Sequence, residues 1–388
     1  MRQSLLKRFF ARLRMTHGAQ AKACDYHLLR MTYTLGMTMC LLLVTWGICN
    51  AGTGVAGGKV LLLEPAARQA GIGGVGCALE PDVNSCAWNP ALLSEINGQE
   101  ASFLYSMWLM DTSYQWLAYA RPLRIGTMPL GVSASILRFS AGNIAGYDWY
   151  DIPIGTVTAG NFSGSISAGS SLNLGRGVFG FGITARLMNE RLVDDSATSI
   201  SFDAGATYRI PHRRIRTGLS CCNFGSGLKF IEKSSKLPTE LNAGVSFQPI
   251  PDYLNLSCDL TTREGEFIIA GGAEYWLFGK IALRAGWTTE NSIGSGLRAG
   301  LGLHIKDIQV DYAWSDYQEF GASHRIGIIA RFGKLSLEEV MYRRALKLWK
   351  AGDSDGALLE LNKLLAINPN HWPAKRAKTN ILQESPDR

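Results

Sequence analysis

"VFGFGITARLM", Val178–Met188, places Phe179, Phe181, Ile183, Ala185 and Leu187 on one side of an extended chain and Gly180, Gly182, Thr184 and Arg186 on the other. Successive side chains of a strand point to opposite faces, so period two reads as a strand with two unlike faces. Ile200–Ile210, "ISFDAGATYRI", repeats it, with Ile200, Phe202, Ala204, Ala206 and Tyr208 against Ser201, Asp203, Gly205, Thr207 and Arg209. Ile281, Leu283, Ala285 and Trp287 oppose Ala282, Arg284 and Gly286, and Leu297 to Ile305 alternates around Arg298. "HRIGIIARF" closes the series with Ile326, Ile328, Ala330 and Phe332. A soluble sandwich also alternates, but its second face is rich in charge and meets water. Here the second face mixes Gly, Ser and Thr with isolated Arg or Asp, while the first stays apolar at nearly every position. In a bilayer every backbone N–H and C=O must be paired, so a sheet can span only by closing on itself. The chain reads as all-β, an antiparallel transmembrane β-barrel.

About fourteen strands are expected over residues 101–332, and an even number suits a bacterial barrel. They fall near 101–108, 113–121, 128–138, 154–170, 178–188, 198–210, 215–223, 240–248, 253–262, 267–276, 279–288, 296–304, 307–314 and 323–332. Trp108, Trp116, Trp149, Tyr150, Trp276, Trp287 and Trp314 sit at or near strand ends, where aromatic belts meet the membrane interface.

Composition agrees. The chain has 43 glycines among 388 residues and only 18% charged residues, against roughly 7% Gly and 25% charge in soluble domains. Residues 1–51 read as a leader: scattered basic residues, the apolar run Leu35–Ile48, and Cys49 and Ala51 placed for cleavage after Ala51. They hold seven basic residues and one acidic one, so without them the net charge of +7 falls to about +1. The basic balance thus belongs to the leader and gives no warrant for a nucleic-acid partner. Five cysteines remain at irregular spacing; Cys77 and Cys86 are near enough in sequence to pair, and adjacent Cys221 and Cys222 must face opposite ways. Neither cysteines nor histidines show metal spacing, no cofactor is implied, and no nucleophile–base–orienter set suggests an enzyme.

After Phe332 the periodicity becomes helical. Residues 338–371 fit one 34-residue tetratricopeptide-like unit, with Ala345 and Ala357 where two helices cross, a turn at Gly352-Asp353, Leu361 and Leu364 on the packing face, and Pro369 closing it. A single unit has little core of its own and is expected to pack on a further helix near 372–383 or on a partner. This 335–388 tail cannot lie in the membrane, which places the barrel's C-terminus in the periplasm.

Three stretches resemble the PorV/PorQ-like outer-membrane barrels: "LLLEPAARQAGIGGV" (Leu61–Val75) with "DVNSCAWNPALL", "YQWLAYARPL" (Tyr114–Leu123), and Leu174–Ile210. The wider group includes the FadL-type long-chain fatty-acid channels, and the helical tail is similar to that of spirochaete members. The resemblance implies a hatch at 52–100 inside a fourteen-stranded barrel, with Asn89, Pro90 and Ala91 matching the hatch motif. It implies uptake of a hydrophobic solute such as a long-chain fatty acid, held between hatch and wall within the outer-membrane lipid. Trp88, Arg186, Asp203, Arg209, Arg284 and Arg298 would then fix the hatch or meet the ligand. The other implied role is PorV-like, binding secreted or periplasmic proteins, to which the tail would add a surface. An apolar tunnel past Asn89–Ala91 would favour uptake, and a sealed, polar lumen would argue against it.

Overall fold

The computed structural model describes residues 57–384 except 126–127, 143, 149, 194, 231–233, 291–293, 334–336, 351–352 and 369–370. The expected leader, Trp149, Gly352 and Pro369 lie outside the described residues.

Fourteen antiparallel strands form the closed barrel. In chain order they are β1 Gln99–Met107, β2 Ser113–Ile125, β3 Met128–Ser140, β4 Ala159–Leu174, β5 Gly177–Leu192, β6 Asp195–Ile210 and β7 Ile215–Gly225. The second half comprises β8 Glu240–Ile250, β9 Leu254–Arg263, β10 Glu266–Leu277, β11 Ile281–Thr288, β12 Leu297–Ile305, β13 Ile308–Asp316 and β14 Ala322–Phe332. Each strand pairs with its neighbours in sequence, and β1 closes the ring on β14 in a register running from Gln99↔Phe332 to Met107↔His324. The expected strand at 154–170 is divided: Pro153–Val157 pairs with Ile144–Tyr147 in a separate hairpin, and the barrel strand begins at Ala159. At one end the connections are short, such as 175–176 and 306–307, and the barrel's first and last residues lie there too. The other end carries the longer connections 141–158 and 226–239. One tight turn there, Glu264-Gly265, takes positive φ at both residues (49° and 86°), the geometry that matches the twist of a two-residue hairpin.

The two strand faces sort as the dyads require. Phe181, Ile183 and Leu187 are exposed on the outside, while Gly180, Gly182, Thr184 and Arg186 are buried within. Ile183 is 66% and Ile166 71% exposed, a degree of apolar exposure that suits lipid rather than water. No helix among the described residues is long and apolar enough to cross a membrane. The fold is that of an outer-membrane barrel.

The aromatic expectation holds only in part. Trp287 and Trp314 share the outward face, as their pairing with Leu297 and Ala299 requires. Trp116 lies on the opposite parity and is buried in the lumen, donating its indole N–H to Asn84 Oδ1 at 3.0 Å. Trp108 packs edge-on against Tyr114 and Tyr317, and Trp276 against His304, rather than joining a belt. Nearness to a strand end does not fix the face; parity does.

The tail is three helices, Leu337–Lys350, Ser354–Ile367 and Trp372–Glu384. Ala345, Ala357, Leu361 and Leu364 meet in its core with Ala374, Ala377 and Ile381 of the third helix. The Asp353 carboxylate caps the second by accepting from Gly356 N–H.

Candidate functional site

Residues 57–98 fill the lumen as a plug of short helical pieces. "DVNSCAWNPALL" forms two consecutive 3-10 segments, Val83–Ala87 and Pro90–Glu95. Asp82 and Ser85 cap the first reciprocally. Asn89 caps the second, accepting from Ala91 N–H at 3.1 Å, and Pro90 fits its first position because no donor is needed there. Cys77 and Cys86 are separate buried thiols rather than a disulfide. Burial pushes the Cys86 thiol up to about 11 and raises that of Cys77, so neither is prepared as a nucleophile. Cys222 faces inward and Cys221 does not, as adjacency in a strand demands.

The plug meets the wall along a row of glycines. Gly131, Gly169, Gly182 and Gly205 are register partners on four consecutive strands, β3 to β6. A β-carbon at Gly131 would stand 1.9 Å from Leu93 O, and one at Gly169 2.3 Å from Pro90 O. At Gly182 it would stand 2.5 Å from Pro90 C, and at Gly205 2.0 Å from Asn89 Oδ1. The second segment therefore rests on bare backbone. The Asn89 amide extends the contact, donating to Cys77 O at 2.9 Å within the plug and to Ala206 O (3.2 Å) and Leu219 O (3.3 Å) of the wall. Asn89→Ala leaves these buried carbonyls short of a donor and should cost the docked plug about 1–3 kcal/mol. Faster protease cleavage within 57–98 of the folded barrel measures it; an unchanged rate would show that the amide does not hold the plug.

Buried charges supply the remaining ties. Arg68 of the plug grips Glu274 of β10 with two parallel bonds, 2.9 and 2.7 Å, and also meets Asp82 at 3.2 Å. Arg284 of β11 pairs with the same Glu274 (2.7 Å) and with Asp311 (2.8 Å). Glu64 faces Arg325 at 2.9 Å, and Glu95 takes both Arg209 (2.6 Å) and Arg216 (3.0 Å). Asp259 of β9 accepts the N–H groups of Gly76 and Cys77, each at 2.8 Å.

Of the residues expected in the site, Asn89, Pro90 and Ala91 lie against the wall, and Trp88 is half-buried with its ring over Gly76. Arg209 reaches the plug directly, and Arg284 reaches it through Glu274. Arg186 pairs within the wall, with Asp203 at 2.8 Å and with Asn223. Arg298 lies 4.9 Å from the Tyr317 ring centre. They are spread over several levels and form no single cluster. Glu64, Arg68, Glu95, Asp259, Glu274 and Arg325 went unnamed in the sequence, although isolated charges in an apolar run ("LLLEPAARQA") were a usable signal.

Two cavities flank the plug. One of about 110 Å³ lies toward the loop end, walled by Leu61, Leu63, Trp88, Trp116, Leu137 and Ile268 with Arg186, Asp259 and Arg263 among its polar groups. The other, about 890 Å³, opens toward the turn end among Arg209, Trp276, His304 and Arg331. The path past Asn89–Ala91, where an apolar tunnel would favour uptake, is blocked by the plug backbone resting on the glycine row. Among the described residues no group of three or more His, Cys, Asp or Glu is placed to hold a metal ion. The arrangement is one of ties and seals.

No protein-family model and no curated protein matches the chain. Among solved structures, the toluene transporter TbuX of Ralstonia pickettii aligns with a TM-score of 0.50 at 14% identity, covering 69% of this chain and 98% of that one. This chain has that transporter's barrel fold. The CymD monoaromatic hydrocarbon channel aligns at 0.47 and 13% identity over 69% and 97% of the two chains. A Pseudomonas aeruginosa FadL homologue aligns at 0.46 and 11% over 69% and 98%.

Proposed function

We propose that the chain is an outer-membrane uptake channel for hydrophobic solutes, gated by the plug. The observation that carries this is the loop-side cavity, whose wall is made jointly by the plug, through Leu61, Leu63 and Trp88, and the barrel, through Trp116, Leu137 and Ile268. A solute entering from the loops would bind there, and passage would require Asn89–Leu93 to leave the row. The passage is blocked where Asn89–Leu93 rest on the glycine row, and the cavity on the loop side has both apolar and charged walls. The structurally similar transporter, named for toluene, supports a small apolar solute. A long-chain fatty acid would exceed about 110 Å³ and would need the plug already displaced. Short turns at the end where β14 finishes support a periplasmic tail, since outer-membrane barrels turn tightly on that side.

Two truncations test the reading. Removing residues 52–98 should abolish saturable binding of a fluorescent apolar probe by the detergent-solubilised barrel; unchanged affinity would sink a plug-dependent site. Removing 335–388 should leave that binding intact. The tail has its own core and exposes Leu359, Ile367 and Leu382, which supports a second, protein-binding role. If it has that role, co-purifying periplasmic proteins disappear with it, and an unchanged set would count against it.

A further inference from the structure

The two ends of the barrel carry opposite charge. From Ser113 to Tyr147, Pro153 to Asn189 and Ala204 to Phe230 the sequence has no Asp or Glu. These stretches include the turn-end halves of β2 to β7, where Arg121, Arg124, Arg176, Arg213 and Arg214 are all exposed. In the connections at that end acid occurs only in the other half of the ring, as Asp252 and Asp307. The loop end is acidic, with Asp111, Asp148, Asp151, Glu264 and Glu319 in its connections. Without the leader the net charge is only about +1, so the basic arc is a local feature and not a surplus of the whole chain.

Arg121 decides what the arc meets. β2 turns its odd-numbered side chains to the lipid: Leu117 and Tyr119 precede Arg121 on that face, and Leu123 and Ile125 follow it. Ile125 is 69% exposed, so the apolar band continues past the arginine toward the turn. The side chains of Arg121, Arg124, Arg213 and Arg214 make no ion pair or hydrogen bond with the described residues. A cation on the lipid face is costly unless its head reaches water or an anion. The long stem carries the guanidinium along the apolar surface toward the rim. The anion at that depth is a phospholipid phosphate, which a guanidinium binds through paired N–H groups. Tyr119 flanks Arg121 on the same face with its hydroxyl donated to Gln99 Oε1 at 2.7 Å, the placement of an interfacial aromatic.

We infer that the turn-end arc from β2 to β7 is a docking surface for anionic phospholipid. One headgroup phosphate lies at Arg121 and Arg124, its acyl chains run along Leu123 and Ile125, and further headgroups meet Arg213 and Arg214. In the orientation proposed above these lipids belong to the inner leaflet of the outer membrane; the surface itself does not depend on that orientation.

The test is native mass spectrometry of the full chain released from non-ionic detergent micelles. The micelles hold equal parts of phosphatidylglycerol and phosphatidylcholine with the same acyl chains. Phosphatidylglycerol should be retained at least about fivefold more than phosphatidylcholine, with the preference shrinking as salt rises. Arg121→Gln with Arg124→Gln should remove most of that preference. Lys229→Gln with Lys236→Gln, the same change of charge at the loop end, should leave it intact. Equal retention of the two lipids in the parent protein overturns the inference, as does a preference that survives the arginine pair or falls equally with the lysine pair. Displacement of the bound lipid by soluble glycerol phosphate would mean a free-anion site and also overturns it. Should the Arg121 and Arg124 variant fail to assemble, Arg213→Gln with Arg214→Gln must lower the preference, and an unaltered preference rejects the inference.

Discussion

Replacing Glu274 by alanine should release the plug while leaving the barrel assembled. Glu274 lies between Arg68 of the plug and Arg284 of the wall, and all three side chains are within 7% of full burial. Among the described residues its loss strips Arg68 of its wall carboxylate, because the other partner, Asp82, belongs to the plug itself. Arg284 keeps Asp311 and stays neutralised. Breaking one side of a buried pair leaves an uncompensated charge and costs about 3–5 kcal/mol, more than the Coulombic gain of the intact pair alone would suggest. Strand pairing around Glu274 is backbone to backbone and survives. The expected result is therefore a heat-modifiable barrel whose 57–98 segment has become protease-sensitive. The double variant Arg68→Met, Glu274→Met separates charge from packing. It removes both partners of the tie and should recover most of the protection, since apolar replacements of a buried pair are often neutral. If Glu274→Ala leaves the plug as resistant as before, the ion pair does not latch it.

The barrel was legible because lipid and lumen impose opposite chemistry on alternate residues, and the dyads in β5, β6, β11 and β12 appear in the structure with the predicted faces. The strand at 154–170 was misplaced because Pro153–Val157 has strand composition but pairs locally. Trp116 faces the lumen because parity, not its position along β2, sets its side. The plug's backbone was not legible: 3-10 segments are set by caps such as Asp82 and Asn89 and by contact with the wall, not by a long period. The ties from Arg68 to Glu274 span 206 residues, and a single sequence contains no sign of which carboxylate a given arginine will meet. The glycines were read correctly as lumen-facing in β5 and β6, but not as a continuous row. That row exists only once the register sets Gly131, Gly169, Gly182 and Gly205 side by side.

The row makes Gly182→Leu the sharpest test of gating. Within a strand, leucine in place of glycine should favour the barrel, since glycine weakens strand interiors. The lumen is where the conflict arises. A β-carbon 2.5 Å from Pro90 C and 2.6 Å from Ala91 N meets backbone, which no rotamer change can move aside. Ordinary overpacking costs about 1–3 kcal/mol by shifting side chains, and here the whole Asn89–Leu93 segment must lift instead. Lifting it also breaks the Asn89 bonds to Ala206 O and Leu219 O, so the two losses arrive together. The expected outcome is a stable barrel with a displaced plug, seen in planar bilayers as a steady conductance that the parent protein lacks. Gly164→Leu is the matched control, because a β-carbon there meets nothing within 4 Å. It should conduct no more than the parent. A Gly182→Leu channel that stays closed would mean that the seal lies elsewhere in the plug, in the buried charges rather than the glycine row.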